Sequence, residues 1–233
     1  MIRYLTGCAG KQVEGEAWRE NIGLLVQPGN RYHRRVHLYP TWAGDNGAFT
    51  TVAGGFDPVK FRAMLAQPEL LSAKDTCRFI VAPDRLVVRA NGAVTGDALG
   101  TLEQFPAWAA EIRQAGLPVA LVAQDGLELW LARVRWDLVD VLFIGGSTEW
   151  KLSSGALTCV LEARRRGKRT HMGRVNSFKR LALADSWGID TADGTFLKFG
   201  MANNVPRMLT WFRKLEANRE SVLGGAHQRA VGF

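Results

Sequence analysis

Six polar blocks carry most of the chemistry this sequence could perform, and each directly follows an apolar run. They are Asp45-Asn46-Gly47-Ala48-Phe49, Pro83-Asp84, Gln124-Asp125-Gly126, Gly145-Gly146-Ser147, Gly173-Arg174-Val175-Asn176 and Asp190-Thr191-Ala192-Asp193-Gly194. Carboxylates dominate, and a held carboxylate can serve as nucleophile or as general acid and base. Asp45 precedes the tight-turn pair Asn46-Gly47, which would hold it at a strand end; an Asp in that place can also do no more than bond turn amides. Asp190 and Asp193 stand three residues apart, so in extended backbone they face opposite sides. One can enter a ligand site while the other caps or bonds a turn. Gly145-Gly146 carries no Cβ and would let a flat ligand approach the backbone, although a plain glycine-rich turn has the same spelling. Gln124 offers an amide donor and acceptor suited to a nucleobase edge, or is a surface amide.

Other chemistries lack their signatures. His33, His37, His171 and His227 form no H-E-x-x-H and no Cys/His spacing, so no zinc site is expected. G-x-S-x-G, the P-loop and the dinucleotide fingerprint are missing too. Thirty Lys and Arg against twenty-two Asp and Glu give a net charge of +8, which favours a polyanionic partner. The run Arg164, Arg165, Arg166, Gly167, Lys168, Arg169 ends a helical stretch. It either complements a helix dipole or contacts phosphates, together with Arg174, Lys179 and Arg180 on the next unit. Cys8, Cys77 and Cys159 are odd in number, with no C-x-x-C pair and no apolar leader. A reducing, cytoplasmic setting without disulfides is expected. No run approaches the ~20 apolar residues of a membrane span.

These blocks need a scaffold, and the 233 residues, 47% hydrophobic, suffice for one sizeable core. Eight apolar runs read as strands: Tyr4–Gly7, Gly23–Val26, Trp42–Asp45, Phe79–Ala82, Val119–Val122, Val141–Ile144, Thr170–Met172 and Gly188–Asp190. Helical spacing separates most of them. Phe105, Trp108, Ala109 and Ile112 form one stripe, Val205, Met208, Leu209 and Phe212 another, and Leu152, Ala156, Cys159 and Ala163 a looser third. Alternating strands and helices in eight units predict a single-domain α/β fold, a (β/α)8 barrel over residues 1–218, with the site at the strands' C-terminal ends. Residues 9–41, with Arg31, His33, Arg34 and Arg35, read as an insertion or long loop able to contact a ligand. Residues 219–233, with Gly224 and Gly225, read as a mobile tail.

Taken in order, these blocks resemble the tRNA-guanine transglycosylase superfamily, and within it the short DNA deazaguanine transglycosylases of phages and bacteria, the DpdA family. The likeness runs from about Trp42 to Gly194. Asp45-Asn-Gly-Ala-Phe49 is similar to the family's Asp-Ser-Gly-Gly-Phe, and Pro83-Asp84 followed by Asp97 to its Pro-Asp and base-recognition Asp. Val122-Ala-Gln124 resembles Val-Gln-Gly, Leu142-Phe-Ile-Gly-Gly146 the Gly-Gly block, Met172-Gly173 the Met-Gly strand, and Gly188-Ile-Asp-Thr-Ala-Asp193 the nucleophile's Gly-Ile-Asp-x-x-Asp. The Cys-x-Cys-x-x-Cys…His zinc module of the tRNA enzymes is missing, Asp193 is followed by Gly194-Thr-Phe, and Gly146 by Ser-Thr-Glu149. These departures suit the DNA-modifying branch, a barrel without the zinc-binding subdomain.

The resemblance implies exchange of guanine in DNA for a 7-deazaguanine base such as 7-cyano-7-deazaguanine, with neither metal nor cofactor. Asp193 would be the nucleophile and Asp45 the general acid and base. Asn46, Asp97, Gln124, Gly145 and Gly146 would hold the base, and the basic residues from Arg164 to Arg180 would grip the strand. A queuine-type tRNA-guanine transglycosylase, a non-catalytic nucleic-acid-binding barrel and a barrel glycosidase or lyase on a small anionic substrate are the competing readings. Oligomeric state is not written in any motif.

Overall fold

Runs that are buried at every position, such as Ile22–Val26 and Val119–Ala123, have no face to give to water and become strands covered on both sides. In the computed structural model, which describes residues 2–8, 10–17, 22–48, 55–88, 90, 92 and 94–230, eight such strands close into a parallel barrel. They are β1 (Arg3–Thr6), β2 (Ile22–Val26), β3 (Trp42–Gly44), β4 (Cys77–Val81), β7 (Val119–Ala123), β8 (Val141–Ile144), β9 (Arg169–Met172) and β10 (Thr191–Gly194). A short antiparallel hairpin of β5 (Leu86–Val88) and β6 (Val94–Gly96) stands outside the wall, between β4 and β7 in the chain. The wall runs β1-β2-β3-β4-β7-β8-β9-β10, and β10 returns to β1 with Asp193 opposite Leu5.

The helices are α1 (Lys11–Ala17), α2 (Pro58–Leu65), α3 (Pro68–Ser72), α4 (Ala98–Gln114), α5 (Thr148–Lys151), α6 (Ser154–Arg165), α7 (Phe178–Ser186) and α8 (Met201–Ala230). The stripe on α4 is buried at Phe105, Ala109 and Ile112, while Trp108 packs edge-on against Phe56 and Phe61 at 5.1 and 5.8 Å. Ala156, Cys159 and Ala163 of α6 and Val205, Met208 and Phe212 of α8 are buried as their spacing predicts. Strand side chains alternate between two cores. Leu5, Leu25, Ala43, Phe79, Val81, Ala120 and Val122 fill the barrel, whereas Tyr4, Leu24, Trp42, Ile80 and Leu121 pack beneath the helices.

Two expectations are corrected. Residues 9–41 hold α1, β2 and a 3-10 helix, Tyr32–Leu38, so most of this stretch belongs to the barrel. The eighth strand is Thr191–Gly194 and not Gly188–Asp190. Gly188 has φ +71° and Ile189 N–H bonds the Ala184 carbonyl, which makes this triplet the turn closing α7. Of residues 219–233, the described part is helical through Ala230, with a 2.5 Å ion pair from Arg219 to Asp185, and residues 231–233 lie outside the described residues.

Candidate active site

The C-terminal ends of six barrel strands enclose a cavity of about 90 Å³. Its apolar lining is Val81, Val122 and Phe143; its polar lining comes from Asp45 and Asn46 after β3, Asp84 after β4, Gly145 and Gly146 after β8, Gly173 and Arg174 after β9, and Asp193 on β10. Five of the six polar blocks thus meet at one mouth, where residues following parallel barrel strands must converge. Phe49, the last residue of the Asp45 block, lies outside the described residues.

Asp45 both lines the cavity and bonds its own turn. Its carboxylate reaches the cavity, and Gln27 Nε2 donates to Oδ2 at 2.8 Å. The Gly47 amide also bonds it. Burial pushes Asp45 up to about 6, helped by the nearby Asp193 and Asp84 carboxylates and opposed by the Gln27 hydrogen bond. Such a group carries or releases a proton close to neutral pH.

Asp193 is held from below and from the side. The Arg174 backbone N–H donates to Oδ1 at 2.7 Å. To aim that N–H, Arg174 takes φ +59°, a left-handed conformation that costs an L-residue roughly 1 kcal/mol. Its guanidinium donates to the Gly146 carbonyl. Gly146 needs φ +59° as well, and a Cβ there would come within 2.6 Å of the Trp150 ring. Beneath Asp193 lies His171, fully buried, with Nε2 3.6 Å from Oδ1 and Nδ1 2.8 Å from Thr191 Oγ1. Lys151 on α5 is also fully buried and donates from Nζ to the Gly173 carbonyl at 2.8 Å. Burial and the Arg174 charge press its ammonium down to about 7, against the pull of Asp193.

Asp84 is the third carboxylate of the cavity. Asn46 Nδ2 donates to Oδ1 at 2.8 Å and Gln124 Nε2 to Oδ2 at 2.6 Å. Burial raises its carboxyl, with those two hydrogen bonds opposing. Gln124 is itself buried behind Asp84, accepting from Thr101 Oγ1 at 3.1 Å, so its amide is committed and it does not line the cavity. Asp97 is not at the cavity either. It is the N-cap of α4, accepting from Gly100 N–H at 2.9 Å, and pairs with Arg85 at 3.5 Å. The Asp97 assignment passed over Asp84, although Pro83-Asp84 carried the strand-end signal; His171, Lys151 and Gln27 gave none.

The basic residues divide between two faces. Arg174, Lys179 and Arg180 follow β9 and stand at the mouth. Arg164, Arg165, Arg166, Lys168 and Arg169 do not, because α6 runs back against the strands and delivers its end to the opposite, N-terminal face. Arg164 donates to the Gly188 carbonyl, Arg165 and Arg166 pair with Glu162, and Arg166 lies over the Trp136 ring at 5.1 Å. A second basic wall stands beside the mouth: a cavity of about 320 Å³ lined by Arg31, His33, Arg34, Lys60 and the same Gln27 that holds Asp45. Arg35 is turned away into a 2.5 Å pair with Glu14.

Fold and site together define a single-domain (β/α)8 barrel with three carboxylates and three glycines around one small cavity at the strands' C-terminal ends. No protein-family model and no curated protein sequence matches the chain. Among the described residues no helix is long and apolar enough to cross a membrane.

Proposed function

We propose that this barrel is a base-exchange transglycosylase that replaces guanine in DNA with a 7-deazaguanine base, such as 7-cyano-7-deazaguanine, through a glycosyl ester on Asp193. The observation that supports it most is that Asp45 and Asp193, from opposite stretches of the chain, line one cavity beside Asp84.

The reaction follows double-displacement logic. An Asp193 oxygen attacks C1′ while the bond from C1′ to the guanine nitrogen breaks, and protonated Asp45 neutralises the departing base. The incoming base then gives its ring proton to Asp45 as its nitrogen forms the new bond to C1′ and the ester opens. One glycosidic bond replaces another, the proton lent is returned, and the strand is never cut. A carboxyl near 6 suits both transfers. Asp84 takes the recognition role: guanine and 7-deazaguanine each present adjacent N–H donors, and a carboxylate retains lone pairs after accepting from Asn46 and Gln124. C1′ is hidden in a duplex, so the target nucleotide must be extruded or single-stranded. In this reading Arg31, Arg34 and Lys60 on one bank, and Arg174, Lys179 and Arg180 on the other, hold flanking phosphates.

Nucleoside analysis tests this. DNA and tRNA are incubated with pure protein, labelled guanine and candidate deazaguanines, then digested. Incorporation into DNA is expected. Incorporation into tRNA alone would transfer the reading to the tRNA enzymes, and incorporation into neither would end it.

A further inference from the structure

At the N-terminal end of the barrel, remote from Asp45 and Asp193, lies a cavity of about 170 Å³ whose lining includes Arg3, Arg78 and Arg169. Arg3 opens β1, Arg169 opens β9 and Arg78 is the second residue of β4, so closure of the barrel alone draws three half-buried guanidinium side chains together. Phe79 and Val141 back the cavity. Arg78 Nε donates to Thr41 Oγ1 at 2.9 Å and Arg169 Nη2 to the Arg78 carbonyl at 3.0 Å, which fixes both side chains.

Among the described lining residues the Arg78 and Arg169 guanidinium groups face one carboxylate, Asp190, whose Oδ2 already accepts from Thr170 N–H at 2.7 Å and from its hydroxyl at 3.2 Å. The ion pairs of the described residues include neither Arg78 nor Arg169. Burial and the neighbouring guanidinium lower Arg3 and Arg78, the latter partly restored by Asp190. Holding like charges together in a half-buried space is costly unless an anion joins them.

We propose that this cavity is a phosphate-binding site, with the forks of Arg78 and Arg169 and the Arg3 side chain closing on one tetrahedral phosphate group. Several donors in fixed fork geometry suit phosphate oxygens, and two or more cations match its charge. The site is separate from the base-exchange reading and stands or falls without it. Its phosphate is either free in solution or carried by a nucleic acid strand running along the basic N-terminal face, which the Arg164–Lys168 run also borders.

Thermal unfolding in about 20 mM inorganic phosphate, against chloride at matched ionic strength, reads the site. The melting temperature is expected to rise by at least about 3 °C. The rise should vanish in Arg78→Gln/Arg169→Gln and persist in Arg213→Gln on α8. Because the double variant removes structural hydrogen bonds, a second measurement uses the unaltered protein: phosphate should shift the arginine Nε–Hε resonances of Arg3, Arg78 and Arg169. A single-stranded oligonucleotide that displaces phosphate from these resonances identifies a strand phosphate as the source, and failure to displace it identifies free phosphate. No melting shift, a shift preserved in the double variant, or resonance changes confined to other arginines would overturn the proposal.

Discussion

His171 Nε2 stands 3.6 Å from Asp193 Oδ1, and His171 has no exposure to solvent. Its other nitrogen meets Thr191 Oγ1, and its ring is wedged between Phe79 and Phe143 at centroid distances of 4.9 and 4.4 Å. The imidazole is therefore a fixed polar backing for the carboxylate, a positioning residue. His171→Phe keeps a ring of similar shape and removes that backing. We expect adduct formation with an oligonucleotide to slow by roughly ten- to a hundredfold, as for a slightly misplaced nucleophile, with oligonucleotide affinity unchanged. Equal single-turnover rates in the two proteins would refute the role.

Asp45 yields a prediction that couples stability to pH. Its carboxyl is raised in the folded protein to about 6 from an ordinary value of 3.8, so the folded state binds more protons between those limits. Stability from this group is therefore lost as pH rises through that window, and the loss is complete above about 6. Asp45→Asn removes the charged form. At pH 7.5 the variant should be more stable by up to about 3 kcal/mol, a gain that shrinks to nothing near pH 4. It should also lose base exchange. Urea unfolding at the two pH values checks the sign, and a gain that is larger at pH 4 would contradict the burial of this carboxylate.

Asp84 and Asp97 separate by function. Asp84→Asn puts amide hydrogens where the base edge needs an acceptor, and the KM for the incoming base should rise at least about tenfold. Asp97→Ala removes a helix cap, costing about 1 kcal/mol of stability, and should leave that KM unaltered. Initial rates at varied base concentration, paired with unfolding curves, distinguish the two. The opposite pattern would return the recognition role to Asp97.

Much of the fold was legible because both-side burial writes itself as short apolar runs, and the mouth because polar residues must follow such runs. Thr191–Gly194 escaped since its residues are small and polar; it is a strand only because β1 and β9 flank it. Lys151 and His171 belong to types that usually meet water, and only barrel closure buries them. The Arg164–Arg169 run spells a helix end in the sequence, but its face follows only from the direction of α6 against the sheet. Asp97 could have been recognised as a cap from Asp97-Ala-Leu-Gly100 opening a helical stripe.

The two basic faces predict different kinetics. Lys179→Glu/Arg180→Glu, and separately Arg31→Glu/Arg34→Glu, should raise the oligonucleotide KM in base exchange and flatten its salt dependence, since each lost phosphate contact lowers the slope by about one. Arg165→Glu/Arg166→Glu, whose partners are Glu162 and Trp136, should leave both quantities unchanged. An unaltered salt slope in both mouth variants would show that the strand lies elsewhere.

The most direct trial is mass spectrometry of protein quenched by denaturant during reaction with a guanine-containing oligonucleotide and no incoming base. The predicted product is a covalent species equal to protein plus oligonucleotide minus guanine, its link mapping to Asp193 and missing in Asp193→Asn. A species of the same mass at full yield in Asp193→Asn, or one that retains its guanine, would contradict the account.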